Sequence, residues 1–139
     1  MKKTVLAFLC WSCCVSAFAQ KINLKGQLYW VAPESNPTQQ TIEYNGLPLE
    51  IFVHPITSLA EVDVSESVIT KIYTPVISRF FSKWNGSFKT KLPPGEYSVF
   101  VRYQNGFYGN LQDITGNLSP VIIKNKNAWI TITINYPSP

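Results

Sequence analysis

The most constraining feature of this sequence is a pair of turn signals within residues 85–102, each followed by alternating apolar residues. Asn85 and Gly86 are residue types that tolerate the positive φ angles of a two-residue type I′ hairpin. Pro94 and Gly95 suit the central positions of a type II turn, in which the second residue has a positive φ. This arrangement predicts short antiparallel strands and indicates no reaction chemistry.

Side chains in a strand alternate between its two faces, which assigns inside and outside positions here. If the loop at Asn85-Gly86 has two residues, Phe81 lies on the core face and Phe80 outside; a loop longer by one residue reverses this. The residues predicted to face the core are Phe81, Phe88, Leu92, Tyr97, Val99 and Val101. Phe100 is predicted to face outward.

Residues typical of turns also divide the rest of the chain into short strands. Strands are predicted at residues 22–31, 49–54, 72–84, 120–124 and 129–136, with Gly26 as a bulge or a point of close approach. Residues 32–40 and 104–118 read as loops, and residues 56–70 as a surface connection with some local structure. In the last strand Ile130, Ile132 and Ile134 alternate with Trp129, Thr131, Thr133 and Asn135. This spacing predicts an all-β fold, a seven-stranded antiparallel β-sandwich.

The first 19 residues have the features of a signal peptide. Lys2 and Lys3 are followed by an apolar run at residues 4–15 and by the small-x-small site Ala17-Phe18-Ala19. The run is shorter than the roughly 20 residues of a membrane-spanning helix. The sequences before the three cysteines fit a lipid-attachment motif poorly. We therefore expect a signal peptide at residues 1–19, one domain at residues 20–139, and export to the periplasm or beyond the cell.

Cleavage would change the charge and the cysteine content. It would leave 120 of the 139 residues and remove all three cysteines, so the domain must be stable without a disulfide. Loss of two lysines lowers the formal net charge from +4 to +2. No basic run remains along the sequence, so we expect no nucleic-acid partner.

The motifs at the two turns resemble a known family. Gly86-Ser87-Phe88, then Leu92-Pro93-Pro94-Gly95 with Tyr97, Val99 and Val101, resemble the carboxypeptidase regulatory-like, or transthyretin-like, domain. Gly46-Leu47-Pro48-Leu49 is similar to a second element of that family. Lys25-Gly26-Gln27, residues 106–110 and 116–121, and Ile134-Asn135-Tyr136 resemble a group of small exported proteins of Gram-negative bacteria. The resemblance spans most of residues 24–136 and implies a prealbumin-like Greek-key sandwich that acts as an accessory module.

No set of catalytic side chains is visible in the sequence. His54 is the only histidine, and a lone histidine near a strand end favours a partly exposed structural role. Transthyretin-like hydrolases that open the oxidised urate ring need several histidines and a C-terminal Tyr-Arg-Gly-Ser tail, whereas this chain ends Asn135-Tyr136-Pro137-Ser138-Pro139. We therefore expect no enzyme, no cofactor and no metal site.

The remaining functional signal is aromatic. Phe107 and Tyr108 lie between glycines in the predicted loop, and Trp129 faces outward from the last strand. Clustered exposed aromatic residues are typical of contact sites for proteins or glycans. The expected function is a non-enzymatic interaction or structural module of the bacterial cell envelope. The alternative is a small-ligand or glycan-binding domain that uses the loop at residues 106–118.

The cleavage site gives a direct prediction. Protein recovered after export should have the intact mass of a chain that begins at Gln20 and carries no lipid, because Ala17-Phe18-Ala19 suits signal peptidase. Mass spectrometry of the exported protein measures this. A diacylglyceryl group on any of the three cysteines would contradict the prediction.

Overall fold

The computed structural model describes residues 20–31, 42–43, 48–109 and 116–135. The predicted signal peptide, the loop at residues 32–40 and residues 110–115 of the other predicted loop lie outside these ranges. The strands in the described ranges are β1 (Ile22–Val31), β2 (Ile42–Glu43), β3 (Glu50–Pro55), β4 (Val62–Ser65), β5 (Val68–Ile72), β6 (Ser78–Phe81), β7 (Ser87–Leu92), β8 (Gly95–Tyr103), β9 (Gly106–Tyr108), β10 (Pro120–Ile123) and β11 (Ala128–Asn135). A single 3₁₀ turn, Leu59–Glu61, precedes β4. No helix in these ranges is long and apolar enough to cross a membrane.

The strands form two sheets, which confirms the predicted all-β sandwich. In sheet A, β1 lies between β11 on one side and β2 and β7 on the other. Sheet B has the order β4-β5-β9-β8-β3-β6, and β10 also pairs with β8. β1 and β11 run parallel, an arrangement that the sequence analysis did not predict.

The first turn signal connects the two sheets instead of closing a hairpin. β6 pairs with β3 in sheet B, whereas β7 pairs with β1 in sheet A, so the predicted Asn85-Gly86 hairpin is wrong. Gly86 has φ +81°, and its amide donates a hydrogen bond to the carbonyl of Lys83 at 2.9 Å. The Gly86 carbonyl accepts from the amide of Leu28 at 2.9 Å. The turn is therefore fastened to β1.

This crossing reverses the predicted faces of two aromatic residues. Phe81 is 65% exposed, and Phe80 packs against the core with its ring centroid 5.9 Å from that of Phe88. The prediction that Phe81 faces inward was wrong because it assumed direct pairing of β6 with β7. The actual partner of β6 is β3, which sets a different register.

The second turn signal also connects the sheets. Gly95 is not among the glycines with a positive φ, and it pairs with Ile123 in the ladder between β8 and β10. The predicted type II turn is therefore wrong. The hydroxyl of Tyr97 donates to the carbonyl of Pro93 at 2.7 Å, so a side chain instead of a backbone turn stabilises this corner.

The main core lies between the sheets. It contains Ile22, Leu24, Leu28, Ile51, Val53, Phe88, Leu92, Tyr97, Val99, Val101, Val121, Ile123, Ile130, Ile132 and Ile134. The predicted alternation in the last strand is confirmed, with Trp129, Thr131 and Thr133 exposed. Gly26 is confirmed as a point of close approach, because a Cβ there would collide with the Phe88 ring and lie 2.6 Å from the carbonyl oxygen of Ile130.

A second, smaller core covers the other face of sheet B. Phe100 is fully buried in it with Val62 and Leu118, so the prediction that Phe100 faces outward was wrong. Val62 belongs to the segment predicted as a surface connection, which here folds as a 3₁₀ turn followed by two strands. Strands β3 and β8 are thus buried on both faces, which alternation along a single strand cannot reveal.

His54 belongs to this second core and is only 2% exposed, not partly exposed as expected. Its Nδ1 lies 3.0 Å from the carbonyl oxygen of Thr74, which can only accept, so Nδ1 carries the proton of the neutral ring. The ring stands edge-on to Phe100 at 5.5 Å, and Nε2 is buried without a hydrogen-bond partner among the described residues. Burial lowers the pKa of His54, although the hydrogen bond to Thr74 acts in the opposite direction.

Gly26 gives a stability prediction. Gly26→Ala should lower the free energy of unfolding by about 1–3 kcal/mol, the usual range for overpacking a core, because the new methyl group meets Phe88 and a fixed carbonyl. The matched control is Gly95→Ala, since a Cβ at that position has its nearest neighbour, the Tyr97 hydroxyl oxygen, at 3.3 Å. Urea unfolding of both variants measures the difference. Equal losses would contradict the assigned packing.

His54 gives a prediction about pH. The pKa of His54 in the folded state lies below the unfolded value of 6.5. Between these two pKa values the unfolded chain therefore binds more protons than the folded chain. The contribution of neutral His54 to the free energy of unfolding should be fully present above about pH 6.5 and should be lost as the pH is lowered towards 5. Because this is the only histidine, the melting temperature of His54→Gln should vary less over that interval than the wild-type value. Parallel melting curves for the two proteins from pH 7.5 to 5 would refute this.

Candidate functional site

The structure does not bring the three predicted site residues together. Phe107 of β9 packs against the second core, with its ring edge-on to Phe52 at 5.4 Å. Tyr108, the next residue, packs on the main core, and its ring centroid lies 6.2 Å from that of Tyr103. Trp129 lies on the other sheet. Part of the predicted loop is therefore strand β9, and a contact of Phe107 or Tyr108 with a ligand stays a prediction.

Tyr108 borders a shallow hollow. This hollow of about 360 Å³ lies where the β4–β5 turn approaches the end of β8, and Tyr103, Glu66 and Val68 also line it. Phe107 is not among the lining residues, because neighbouring residues of a strand point to opposite faces. The aromatic residues of the hollow are therefore the half-buried Tyr103 and Tyr108, not the predicted pair of Phe107 and Tyr108.

Trp129 is 63% exposed on the outer face of sheet A. Strand register aligns Trp129 with Lys25 of β1 and, one strand further, with Lys89 of β7. The next row on the same face contains Thr131 and Gln27. We call these five residues the Trp129 face. Trp129, Thr131 and Lys89 on this face are exposed and Lys25 and Gln27 are partly buried, whereas the alternate residues of the same strands lie in the main core.

A groove runs beside this face, between the edge strands β10 and β11. It has a volume of about 500 Å³ and is lined by Pro120, Val121, Ile122, Lys124, Lys126, Asn127, Ala128 and Trp129. Ile122 is 57% exposed. Trp129 thus stands at the border between a polar sheet face and a partly apolar groove. Such a combination, with one apolar surface and several hydrogen-bonding groups, is typical of ligand sites.

The chemistry of the face is that of binding. In the described ranges no three His, Cys, Asp or Glu side chains are placed to hold a metal ion. His54 is enclosed by the second core, away from the Trp129 face. The side-chain amide nitrogen of Gln27 is already used within the protein, where it donates to the carbonyl oxygens of Leu28 and Asn85. The aligned side chains offer an indole surface, a hydroxyl and two ammonium groups. They can stack on a ligand, hydrogen-bond to it and attract negative charge.

Other exposed side chains lie on sheet B and are held by neighbours. The hydroxyl of Tyr73 donates to Asp63 Oδ2 at 2.6 Å, and this contact is the main reason that the pKa of Tyr73 is raised. Lys71 lies over the ring of Tyr73, 4.8 Å from its centroid. Glu50 and Arg79 form an ion pair at 2.9 Å. These contacts use their polar groups within the protein itself.

The sequence predicts Trp129 as a site residue but does not predict that Lys25 and Lys89 lie beside it. The sequence does indicate that Lys25 and Lys89 face outward, because each follows an apolar residue, Leu24 or Phe88, that faces the core. Their alignment cannot be read, because it depends on β7 and β11 both pairing with β1. The lysines are far apart in the sequence, so no cluster of basic residues is visible there, although strand pairing places them side by side in the sheet.

Neither a protein-family model nor a curated protein matches the sequence. The chain is similar in structure to a protein of Pseudomonas aeruginosa of known crystal structure. That protein is provisionally described as a carbohydrate-binding protein. The TM-score is 0.50 and the sequence identity 14%, with 85% of this chain and 93% of the other covered. A likeness at this identity shows a shared β-sandwich fold.

Proposed function

We propose that residues 20–139 are a non-enzymatic binding module, exported to the bacterial cell envelope, that binds a glycan through the Trp129 face. The signal-peptide features of residues 1–19 support export. The observation that carries the glycan assignment is an indole that is 63% exposed beside a row of hydrogen-bonding side chains. The provisional carbohydrate-binding name of the similar Pseudomonas aeruginosa protein supports the same class of ligand.

The chemistry of a sugar matches this surface. One face of a pyranose ring presents aliphatic C–H groups, which can pack on the flat indole of Trp129 and remove apolar area from water. The ring hydroxyls lie at the edge, within reach of groups such as Thr131 and Lys25 in the neighbouring positions of the sheet. Because the face is open and not an enclosed pocket, it suits one stretch of a long chain more than a free monosaccharide.

Protein association is the second candidate, and a separate surface favours it. Val76, Ile77 and Phe81 are 48%, 46% and 65% exposed on and just before β6. Among the described strands β6 pairs only with β3, so it forms an edge of sheet B. An edge strand with exposed apolar residues is a common site of strand addition by a partner chain.

A matched pair of variants distinguishes the two surfaces. Trp129→Ala should weaken glycan binding at least tenfold, a loss of about 1.4 kcal/mol, whereas Phe81→Ala should leave it unchanged. The two aromatic residues are similarly exposed, at 63% and 65%, so neither change should alter the melting temperature much. A glycan array identifies the ligands, and calorimetry with the best ligand measures the affinities.

Two outcomes would contradict the proposal. Glycan binding that is unaffected by Trp129→Ala would exclude the Trp129 face. Failure of the wild-type protein to bind any glycan, together with self-association that Phe81→Ala abolishes, would favour the second candidate.

A further inference from the structure

Five of the ten lysine and arginine residues in the described ranges lie on the outer face of sheet A or beside the groove next to Trp129. Lys25 and Lys89 stand directly opposite each other on adjacent strands, about 5 Å apart at the backbone. Lys91 lies two residues further along the same face of β7, a rise of about 7 Å. Lys124 and Lys126 line the groove on the other side of Trp129. Five ammonium groups from three separate segments thus border one exposed indole.

None of the carboxylates that the structure describes lies on sheet A, although Glu96 of β8 lies opposite Ile122, which lines the groove. The acidic residues whose side chains the structure describes belong to sheet B or to its connections: Glu50, Glu61, Asp63, Glu66 and Glu96. The single ion pair found within the described ranges, Glu50 with Arg79, also lies on sheet B. Among the side chains that the structure describes, the two faces of the sandwich therefore differ in electrostatic character, although the formal net charge of the whole chain is only +4.

Lys25 and Lys89, which we call the lysine row, oppose the stability of the sheet. Like charges directly across an antiparallel pair repel each other, and Lys25 and Lys89 are such a pair. Neutral polar residues at these two positions would support the strands without that repulsion. An anion bound between the two ammonium groups would turn the repulsion into attraction.

We propose that the ligand of the Trp129 face is an acidic polysaccharide, a chain of sugars that carry carboxylate or sulfate groups. This inference rests on the proposed glycan-binding function and specifies its substrate class. One sugar ring packs on Trp129, and the anionic groups of this and adjacent sugars contact Lys25, Lys89 and Lys91. Lysine side chains are flexible and present point charges. They therefore suit anionic groups repeated along a polymer more than one group held in a fixed bidentate geometry.

The test uses probes that differ only in charge. Oligogalacturonate is compared with its methyl ester, and dextran sulfate with dextran, by calorimetry at two salt concentrations. The acidic member of at least one pair should bind at least tenfold more tightly, and its affinity should fall as salt rises. No preference for the acidic member of either pair would overturn the inference.

Variants test whether a preference for acidic over neutral probes depends on the lysine row. The double variant with Lys25→Gln and Lys89→Gln should lose at least tenfold more affinity for the acidic probe than for its neutral partner, because glutamine can still hydrogen-bond to sugar hydroxyls but carries no charge. Lys71→Gln is the matched control, because Lys71 is exposed on sheet B. An unchanged affinity for the acidic probe in the double variant would refute the inference. The melting temperature should not fall, since a like-charge pair is removed.

Two further results separate this inference from the function on which it rests. If Trp129→Ala abolishes binding of acidic and neutral sugars alike and the double lysine variant has no effect, the glycan function stands and the acidic ligand is wrong. If a single-stranded oligothymidylate of equal charge binds as tightly as the acidic probe, the face attracts polyanions without recognising sugar. In that case the acidic-polysaccharide assignment is also wrong.

Discussion

The contact between the Phe88 ring and Gly26 determines how the rest of sheet A is arranged. Without a Cβ at Gly26, the ring can lie against the backbone of β1 and close to the Ile130 carbonyl of β11. This position holds the three strands in one register over the main core. Because side chains alternate strictly, the residues between the buried ones must then face solvent. The exposed position of Trp129 and the alignment of Lys25 beside it follow from the packing beneath them.

Sheet B obeys a different constraint, since its central strands are buried on both faces. Tyr97, Val99 and Val101 of β8 face the main core, whereas Ser98 and Phe100 face the second core. The Ser98 hydroxyl accepts a hydrogen bond from the amide of Thr57 at 2.9 Å, which ties the covering segment to the sheet. The candidate ligand site lies on the outer face of the other sheet, sheet A, where Lys89, Trp129 and Thr131 are exposed.

The proposed site depends on the alignment of its side chains and not on chemically reactive groups. An indole, a hydroxyl and ammonium groups are ordinary surface side chains when they are scattered. On three adjacent strands they form a surface that can hold an extended chain by stacking and charge at once. A rigid sheet presents them without ordering a loop, so little conformational entropy is lost on binding. The stability of the fold and the shape of the site therefore have the same origin in the main core.

The sequence by itself determined the features that depend on neighbouring residues within one strand. These include the extent of β1, the inward isoleucines and outward Trp129 of β11, and the close approach at Gly26. Only the tertiary structure decided which strands pair, because both turns around β7 pass between sheets and local turn chemistry does not specify the sheet that the next strand joins. For the same reason Phe81 is exposed and not buried as predicted. Phe100 is buried for a different reason, because the segment that contains Val62 covers the other face of sheet B. The lysine row is also a property of strand pairing, since Lys25 and Lys89 are 64 residues apart in the chain and meet only when β7 pairs with β1.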